Sequence, residues 1–111
     1  MHITFKTRKL KRTCESETLS NRAWGVRQAA VVRLRLAQLA AAGDLGVMEK
    51  IPGARLHELK GNRAGQFAVD GVHPHRIVFV PEHDPVPTLP DGGTDRGQVT
   101  AIRILAVEDY H

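Results

Sequence analysis

The last four residues of the sequence carry side chains that exchange protons. Glu108, Asp109, Tyr110 and His111 supply two carboxylates, a phenol and an imidazole. They follow directly on the apolar run at residues 99–107, which predicts a buried strand. Residues near a chain end are usually frayed and chemically inert. Reactive groups held on a rigid strand therefore make this end the first candidate for a catalytic site.

Three further side chains complement this terminal group. His57 is a second imidazole, and Lys60 and Arg76 are fixed cations. Metal-free RNA cleavage needs such a set: a base removes the 2′-OH proton, a cation stabilises the phosphorane charge, and an acid protonates the leaving 5′-oxygen. Arginine suits the second task better than lysine because its planar fork holds two oxygens. Spacing alone also allows the opposite interpretation, in which these are unrelated polar residues at strand ends.

The first half of the chain is expected to be mainly helical. Alternation predicts a short strand at residues 2–6, and a basic helical turn follows at residues 8–13. N-cap residues at positions 16, 18 and 20 predict one long helix that ends near residue 42, before Gly43. A short turn or helix follows at residues 44–50. A helical wheel gives the long helix a polar face, made of Arg27, Gln28, Arg35 and Gln38.

The second half has the period of strands. Strands are expected at residues 55–59, 66–70, 75–80 and 98–108, with a turn at 61–65 and a Pro/Gly-rich loop at 82–97. The apolar run at 75–80 predicts a central strand. The sequence thus indicates one α+β domain over residues 1–111, in the order β-α-α-β-β-β-β. Two helices would cover one face of an antiparallel meander, with the opening strand at an edge. This topology can gather residues 57–60, 76 and 109–111 at one edge.

Composition restricts the class of protein. The chain has 16 Lys+Arg against 12 Asp+Glu, a net charge of +4, which favours a polyanionic partner. Five of these cations lie in the first twelve residues, where a solvated helix face is the simplest interpretation. Cys14 is the single cysteine and is interpreted as a packing residue, and the sequence carries no signal-peptide or membrane-span pattern. We therefore expect a cytoplasmic protein without disulfides.

Three runs resemble one protein family. Residues 55–69 read RLHELKGNRAGQFAV and resemble the R-L-x-x-L-K-G-[DN]-R-x-G stretch of HigB-type killer toxins, in the RelE/ParE superfamily of toxin–antitoxin modules. RIVF at residues 76–79 resembles their W-R-I-x-F strand, and EDYH at residues 108–111 resembles their terminal [EVI]-x-D-Y-H. The pair Pro52–Gly53 also lies where the family carries one.

The resemblance implies a RelE-like fold and an endonuclease that cleaves mRNA in the ribosomal A site without a metal or other cofactor. The implied catalytic residues are His57, Arg76, Asp109, Tyr110 and His111. The implied RNA-binding residues are Lys60, Arg63, Arg55 and His75. The implied partners are mRNA, the ribosome and a small helix-turn-helix antitoxin of HigA type, whose complex with the toxin binds operator DNA. A membrane partner is not implied.

The sequence departs from the family pattern in two respects that bear on rate and codon preference, and two other functions stay open. His75 replaces the aromatic residue that precedes the arginine in the family, and the loop at 82–97 is longer than the family's turn. One alternative is a ParE-like toxin that poisons gyrase by protein binding. Another is a catalytically degenerate member that acts only in autoregulation with its antitoxin.

A metal site is a further alternative, and a weak one. Five histidines are candidates for ligands, at positions 57, 73, 75, 83 and 111. The proline between His73 and His75 makes that pair a poor chelate. The sequence also has no cysteine pair and no H-E-x-x-H spacing, so it does not favour zinc.

Overall fold

The computed structural model describes residues 1–109, so Tyr110 and His111 of the predicted catalytic group lie outside the described residues. Helices fill the first half of the chain and most strands the second. In chain order the elements are β1 (His2–Phe5), α1 (Arg8–Glu15), α2 (Glu17–Trp24), α3 (Val26–Ala41), α4 (Leu45–Met48), β2 (His57–Glu58), β3 (Phe67–Asp70), β4 (His75–Pro81) and β5 (Ala101–Asp109).

The strands form one five-stranded sheet in the order β1-β5-β4-β3-β2. The predicted meander is confirmed, because β2 to β5 pair antiparallel with their neighbours in sequence. The predicted central position of β4 is confirmed as well. The opening strand joins the edge as expected, and it pairs parallel with β5, with Ile3 opposite Ile102. The sheet is therefore mixed, with one parallel pair.

The prediction of one long helix is wrong. The chain turns at Gly25, whose φ of 83° lies in the left-handed region, and this break separates α2 from α3. Ser16 is the C-cap of α1 and also the N-cap of α2, where its hydroxyl accepts a hydrogen bond from the Leu19 N–H at 3.1 Å. The helical layer thus contains three helices where two were expected, and the short α4 follows them.

The main core lies between α3 and one face of the sheet. Val32 and Leu39 of α3 are fully buried with strand residues such as Ile77. Phe67 and Phe79 pack there too, with ring centroids 6.2 Å apart. Because side chains alternate along a strand, the residues between these point to the opposite face, which we call the open face.

Two residues that the helical wheel placed in solvent are buried. Gln28 accepts a hydrogen bond from the Val72 N–H at 2.8 Å, and Arg35 donates to the carbonyls of Asp70 at 2.8 Å and Gly53 at 2.9 Å. Only 7% of Gln28 and 9% of Arg35 is exposed. The wheel failed because α3 lies across the turn before β2 and the turn after β3, where backbone groups need side-chain partners. Both residues therefore fasten α3 to the sheet.

The segment between β4 and β5 is anchored at both ends. The His83 imidazole accepts from the Thr100 N–H at 3.1 Å and the Ala101 N–H at 3.3 Å. Arg96 forms an ion pair with Glu49 at 2.7 Å, and its guanidinium lies 5.2 Å from the centre of the Phe67 ring. The predicted loop is thus held against the core.

Within residues 1–109, no helix is both long and apolar enough to cross a membrane.

Candidate active site

The register of β4 and β5 places charged residues side by side on the open face. Arg76 lies opposite Glu108, and Val78 lies opposite Ala106. Ile77, between the two β4 residues, packs into the core on the other side. Arg76 and Glu108 therefore project from the open face, away from the helices.

Glu108 binds two arginines at once, and we call Arg63, Arg76 and Glu108 the two-arginine cluster. Arg63 donates from both terminal nitrogens to the two carboxylate oxygens, at 2.9 and 2.8 Å. Arg76 donates from Nη2 to Oε2 at 3.1 Å. Because one carboxylate faces two guanidinium groups, the cluster has a net charge of +1, which suits it to an anionic ligand.

Charge and hydrogen bonding reinforce each other in this cluster. The hydrogen bond from Arg63, assisted by the one from Arg76, lowers the pKa of Glu108 below its usual value. The same bond to Glu108 raises the pKa of Arg63. The carboxylate stays ionised at neutral pH, and both arginines are held in a fixed orientation.

An apolar patch lies on the same face. Ala68 of β3 and Val78 of β4 are fully buried, and Leu59 and Leu105 pack against them. The central strands are therefore packed on both faces, and the two-arginine cluster lies on strands that are held from both sides.

His57 is on the open face two strands away from Arg76. It lies opposite Ala68, which lies opposite Val78 on β4. Its Nδ1 is 2.9 Å from the Arg55 carbonyl oxygen. A carbonyl can only accept, so Nδ1 carries the proton and Nε2 of the neutral ring is the basic nitrogen. Two strand spacings and two residues along the strand separate the backbones of His57 and Arg76 by about 12 Å.

Arg55 and Lys60 are the two cations that flank β2. Arg55 has a left-handed φ of 50°, an unusual conformation for a residue other than glycine, and its side chain is 77% exposed. It lies 3.7 Å from the Asp70 carboxylate. Lys60 is exposed just before the 3₁₀ turn that carries Arg63. Two of the predicted RNA-binding cations, Arg55 and Arg63, therefore reach carboxylates of the open face, and Lys60 is exposed between them in the sequence.

His75 and Asp109 are placed differently. They lie opposite each other in the register, and each is the immediate neighbour of a residue on the open face. Alternation therefore directs both towards the helix side of the sheet. His75 lines a groove there with Trp24, Gly25 and the first residues of α3, 26–28. Alternation thus places these two predicted site residues on the other face of the sheet from Arg76.

Sequence reasoning missed two parts of the site. Glu108 was quoted in the terminal motif, but no role was assigned to it, although it binds both arginines. Asp70 was not considered, and it lies opposite Arg76 on β3. Strand alternation could have pointed to Glu108, because it precedes Asp109 by one residue and therefore lies on the other face of the same strand.

Among residues 1–109, no group of three or more His, Cys, Asp or Glu side chains has a geometry that could hold a metal ion.

Comparison with known proteins identifies the fold. No family model matches the sequence, and no curated protein matches it. Solved structures do match. A YoeB/ParE toxin from Agrobacterium tumefaciens superposes with a TM-score of 0.56 at 12% identity, covering 100% of both chains. A chain of a YoeB-YefM complex from Staphylococcus aureus superposes with a TM-score of 0.55 at 16% identity, covering 100% of this chain and 97% of that one.

The predicted α+β, RelE-like fold is thereby confirmed. The structural similarity is to YoeB/ParE toxins of the RelE/ParE superfamily. It does not distinguish the HigB-type branch, and the HigB assignment stays a prediction.

Proposed function

We propose that this protein is the toxin of a type II toxin–antitoxin module and cleaves mRNA on the ribosome without a metal ion. The observation that carries the proposal is the two-arginine cluster, which shares the open face with His57 on a fold similar to that of YoeB/ParE toxins. The HigB-like motifs at residues 55–69, 76–79 and 108–111 support the same conclusion.

In this proposal the substrate phosphate binds at the two-arginine cluster. Before RNA binds, Glu108 keeps both guanidinium groups in place. The phosphate then replaces the Glu108 carboxylate as the acceptor for some of the N–H groups of Arg63 and Arg76. Arg76 is 12% exposed, so its charge acts in a less hydrated environment than that of Arg63, which is 36% exposed. A positive charge fixed in advance stabilises the pentavalent transition state without reorganisation.

His57 acts as the base. Its Nε2 takes the proton of the ribose 2′-OH, and the oxygen attacks the neighbouring phosphorus. The new O2′–P bond forms as the P–O5′ bond breaks, which leaves a 2′,3′-cyclic phosphate and a 5′-hydroxyl. The proton for the leaving oxygen comes from Tyr110 or His111 of the terminal group, because Asp109 is directed to the helix side of the sheet. Lys60 and Arg55 contact the RNA beyond the scissile phosphate, and His75, on the helix side, takes no part in this contact.

The proposed partners follow from the same assignment. One of the similar structures is a YoeB-YefM complex, so this fold occurs bound to another protein. We propose that a helix-turn-helix antitoxin of HigA type binds and neutralises this chain, and that the complex binds operator DNA.

The test is cleavage of a reporter mRNA on purified ribosomes by wild type, Arg76→Ala and a chain that lacks His111. Arg76→Ala should lose roughly 100-fold to 1000-fold in rate, the usual cost of removing one transition-state charge stabiliser. Arg22→Ala is the matched control, because Arg22 is an exposed arginine of α2. It should cleave like wild type.

Two results contradict the proposal. In the first, Arg76→Ala and the shortened chain cleave as fast as wild type, which shows that the proposed residues are not the catalytic site. In the second, the protein leaves ribosome-bound mRNA intact and inhibits DNA supercoiling by gyrase, which favours the ParE-like alternative.

A further inference from the structure

Arg55 has an unusual backbone conformation two residues before the proposed base. Its φ of 50° makes it the one described residue other than glycine in the left-handed region. An arginine gains nothing locally from this conformation, so contacts elsewhere in the fold must hold it there. The carbonyl oxygen of Arg55 lies 2.9 Å from Nδ1 of His57. The strained residue is therefore in direct contact with the imidazole.

Hydrogen bonds hold the backbone of residues 53–55 in place. Arg35 of α3 donates from Nη2 to the Gly53 carbonyl at 2.9 Å and from Nε to the Asp70 carbonyl at 2.8 Å. The Asp70 N–H in turn donates to the Ala54 carbonyl at 2.7 Å. Arg35 is 9% exposed, and Ala54 is fully buried. The turn before β2 is thus fastened both to α3 and to the end of β3.

The side chain of Arg55 has a minor part in this arrangement. It is 77% exposed, and its Nε lies 3.7 Å from the Asp70 carboxylate. Ion pairs that are exposed to this extent add little to stability. The contact with His57 comes from the backbone of Arg55, so the conformation of this residue and its charge can be tested separately.

The Arg55 carbonyl determines which nitrogen of His57 can act as a base. A neutral imidazole carries one proton, and the hydrogen bond that one ring nitrogen makes sets the state of the other. A carbonyl held at Nδ1 keeps the proton on that atom and leaves the lone pair on Nε2. The same bond restricts rotation of the ring. General base catalysis needs both features, the free lone pair and its direction.

We propose that Arg35 and the left-handed turn at Arg55 form a positioning device for His57. Arg35 holds the turn, the turn presents the Arg55 carbonyl, and the carbonyl fixes the tautomer and the direction of the imidazole. Arg35 and the backbone of Arg55 are positioning groups, because neither exchanges a proton with the substrate. The inference rests on the proposed role of His57 as the base, but the tautomer can be measured without any cleavage.

Two substitutions at Arg55 separate its conformation from its charge. Arg55→Gly and Arg55→Val remove the same guanidinium, but glycine adopts a φ of 50° freely and the β-branched valine does not. The readout is NMR of the imidazole nitrogens at about pH 8.5, where histidine is neutral. The His57 signals are assigned by their loss in His57→Gln. Wild type and Arg55→Gly should show the proton on Nδ1, and Arg55→Val should show a mixture of both tautomers.

Kinetics on ribosome-bound mRNA give the second readout for the same pair. Both variants lose the same proposed RNA contact, so KM should rise equally in both. In Arg55→Gly kcat should stay near the wild-type value. In Arg55→Val it should fall about fivefold, the effect of one lost hydrogen bond on the fraction of rings with a free Nε2. A merely structural role would reduce the amount of folded protein and would not separate kcat from KM in this way.

Arg35→Lys tests the other end of the device. Lysine keeps the positive charge but lacks the planar fork that spans the Gly53 and Asp70 carbonyls. We expect a mixture of His57 tautomers with a wild-type KM. Arg27→Lys makes the same change at an exposed position of α3 and should keep the wild-type tautomer. If Arg35→Lys does not fold, the pair of Arg55 variants decides alone.

Two outcomes overturn the proposal. One is a wild-type His57 with its proton on Nε2. The other is the same tautomer and the same kcat in Arg55→Gly and Arg55→Val. A wild-type protein that leaves ribosome-bound mRNA intact refutes the proposed function instead, and the tautomers of the variants then still show whether the turn positions the ring.

Discussion

Glu108 determines how the two arginines of the candidate site are held. Without its carboxylate, Arg63 and Arg76 would repel each other across the same strand ends, and neither would keep the hydrogen bonds of 2.8–3.1 Å that fix it now. Charge-assisted bonds of this kind are stronger than neutral ones. The carboxylate thus holds the two arginines in place, and it lowers the positive charge of the site by one unit.

Replacing Glu108 by Gln should destabilise the protein in a pH-dependent way. The arginines lower the pKa of Glu108 in the folded state, so its stabilising effect is present above the unfolded pKa and is lost as the pH falls through the folded value. At pH 7 we expect a loss of about 1 kcal/mol after solvent screening, and a progressively smaller loss as the pH is lowered through the acid range. Urea unfolding over a series of pH values measures the loss, and an equal loss at every pH would contradict the assigned role.

Cys14 should be unreactive in the folded protein. Burial, followed by the nearby Glu15 charge, raises the pKa of its thiol from 9.0 to about 11. The thiolate is the reactive form, so at pH 8 iodoacetamide should modify the native protein about a hundredfold more slowly than the unfolded chain. Mass spectrometry of timed samples, with and without guanidinium, gives both rates. Equal rates would mean that the thiol is accessible and ionised.

At the scale of elements, the break at Gly25 should be sensitive to any side chain. Its φ of 83° disfavours all other residues, although nothing lies within 4 Å of an added Cβ. Gly25→Ala should therefore cost about 1 kcal/mol from backbone strain alone. Gly43 also has open space around it but an ordinary φ, so Gly43→Ala is the matched control and should cost nothing. Thermal unfolding of the two variants compares them directly.

The contact between α3 and the turn after β3 should make two substitutions non-additive. A Cβ added at Gly71 would lie 2.7 Å from the Gln28 Oε1, the atom that binds the Val72 N–H. Gly71→Ala should cost about 1–2 kcal/mol in the wild-type background and clearly less beside Gln28→Ala. A double-mutant cycle from urea unfolding measures the difference, and simple additivity would mean that the two groups do not interact.

The same elements explain what the sequence could predict of the fold. Short apolar runs and turn residues located β3, β4 and β5 closely, because burial on both faces produces nearly continuous apolar segments. The helix break at Gly25 was missed because a single glycine is tolerated inside a helical pattern. The buried positions of Gln28 and Arg35 were missed because their partners are backbone groups of distant turns, which leave no periodic signal.

At the scale of the whole molecule, the candidate site was predictable only in part. His57 and Arg76 share a face as expected, and Arg63 reaches it through a bond to Glu108. The separation of His75 from Arg76 follows from strand alternation and was available in the sequence. The pairing of Arg76 with Glu108 was not, because it depends on a bulge between Val78 and Phe79 that shifts the register of β4 against β5.

The parallel pairing of β1 with β5 joins segments that are about a hundred residues apart in the sequence, since Ile3 lies opposite Ile102. During synthesis β1 is translated about a hundred residues before β5, its neighbour in the sheet. The same late strand supplies Glu108 to the two-arginine cluster. Long-range pairing of this kind also slows folding. A nascent chain therefore has neither a finished sheet nor an assembled cluster, and the activity proposed here begins only after translation of β5 is complete.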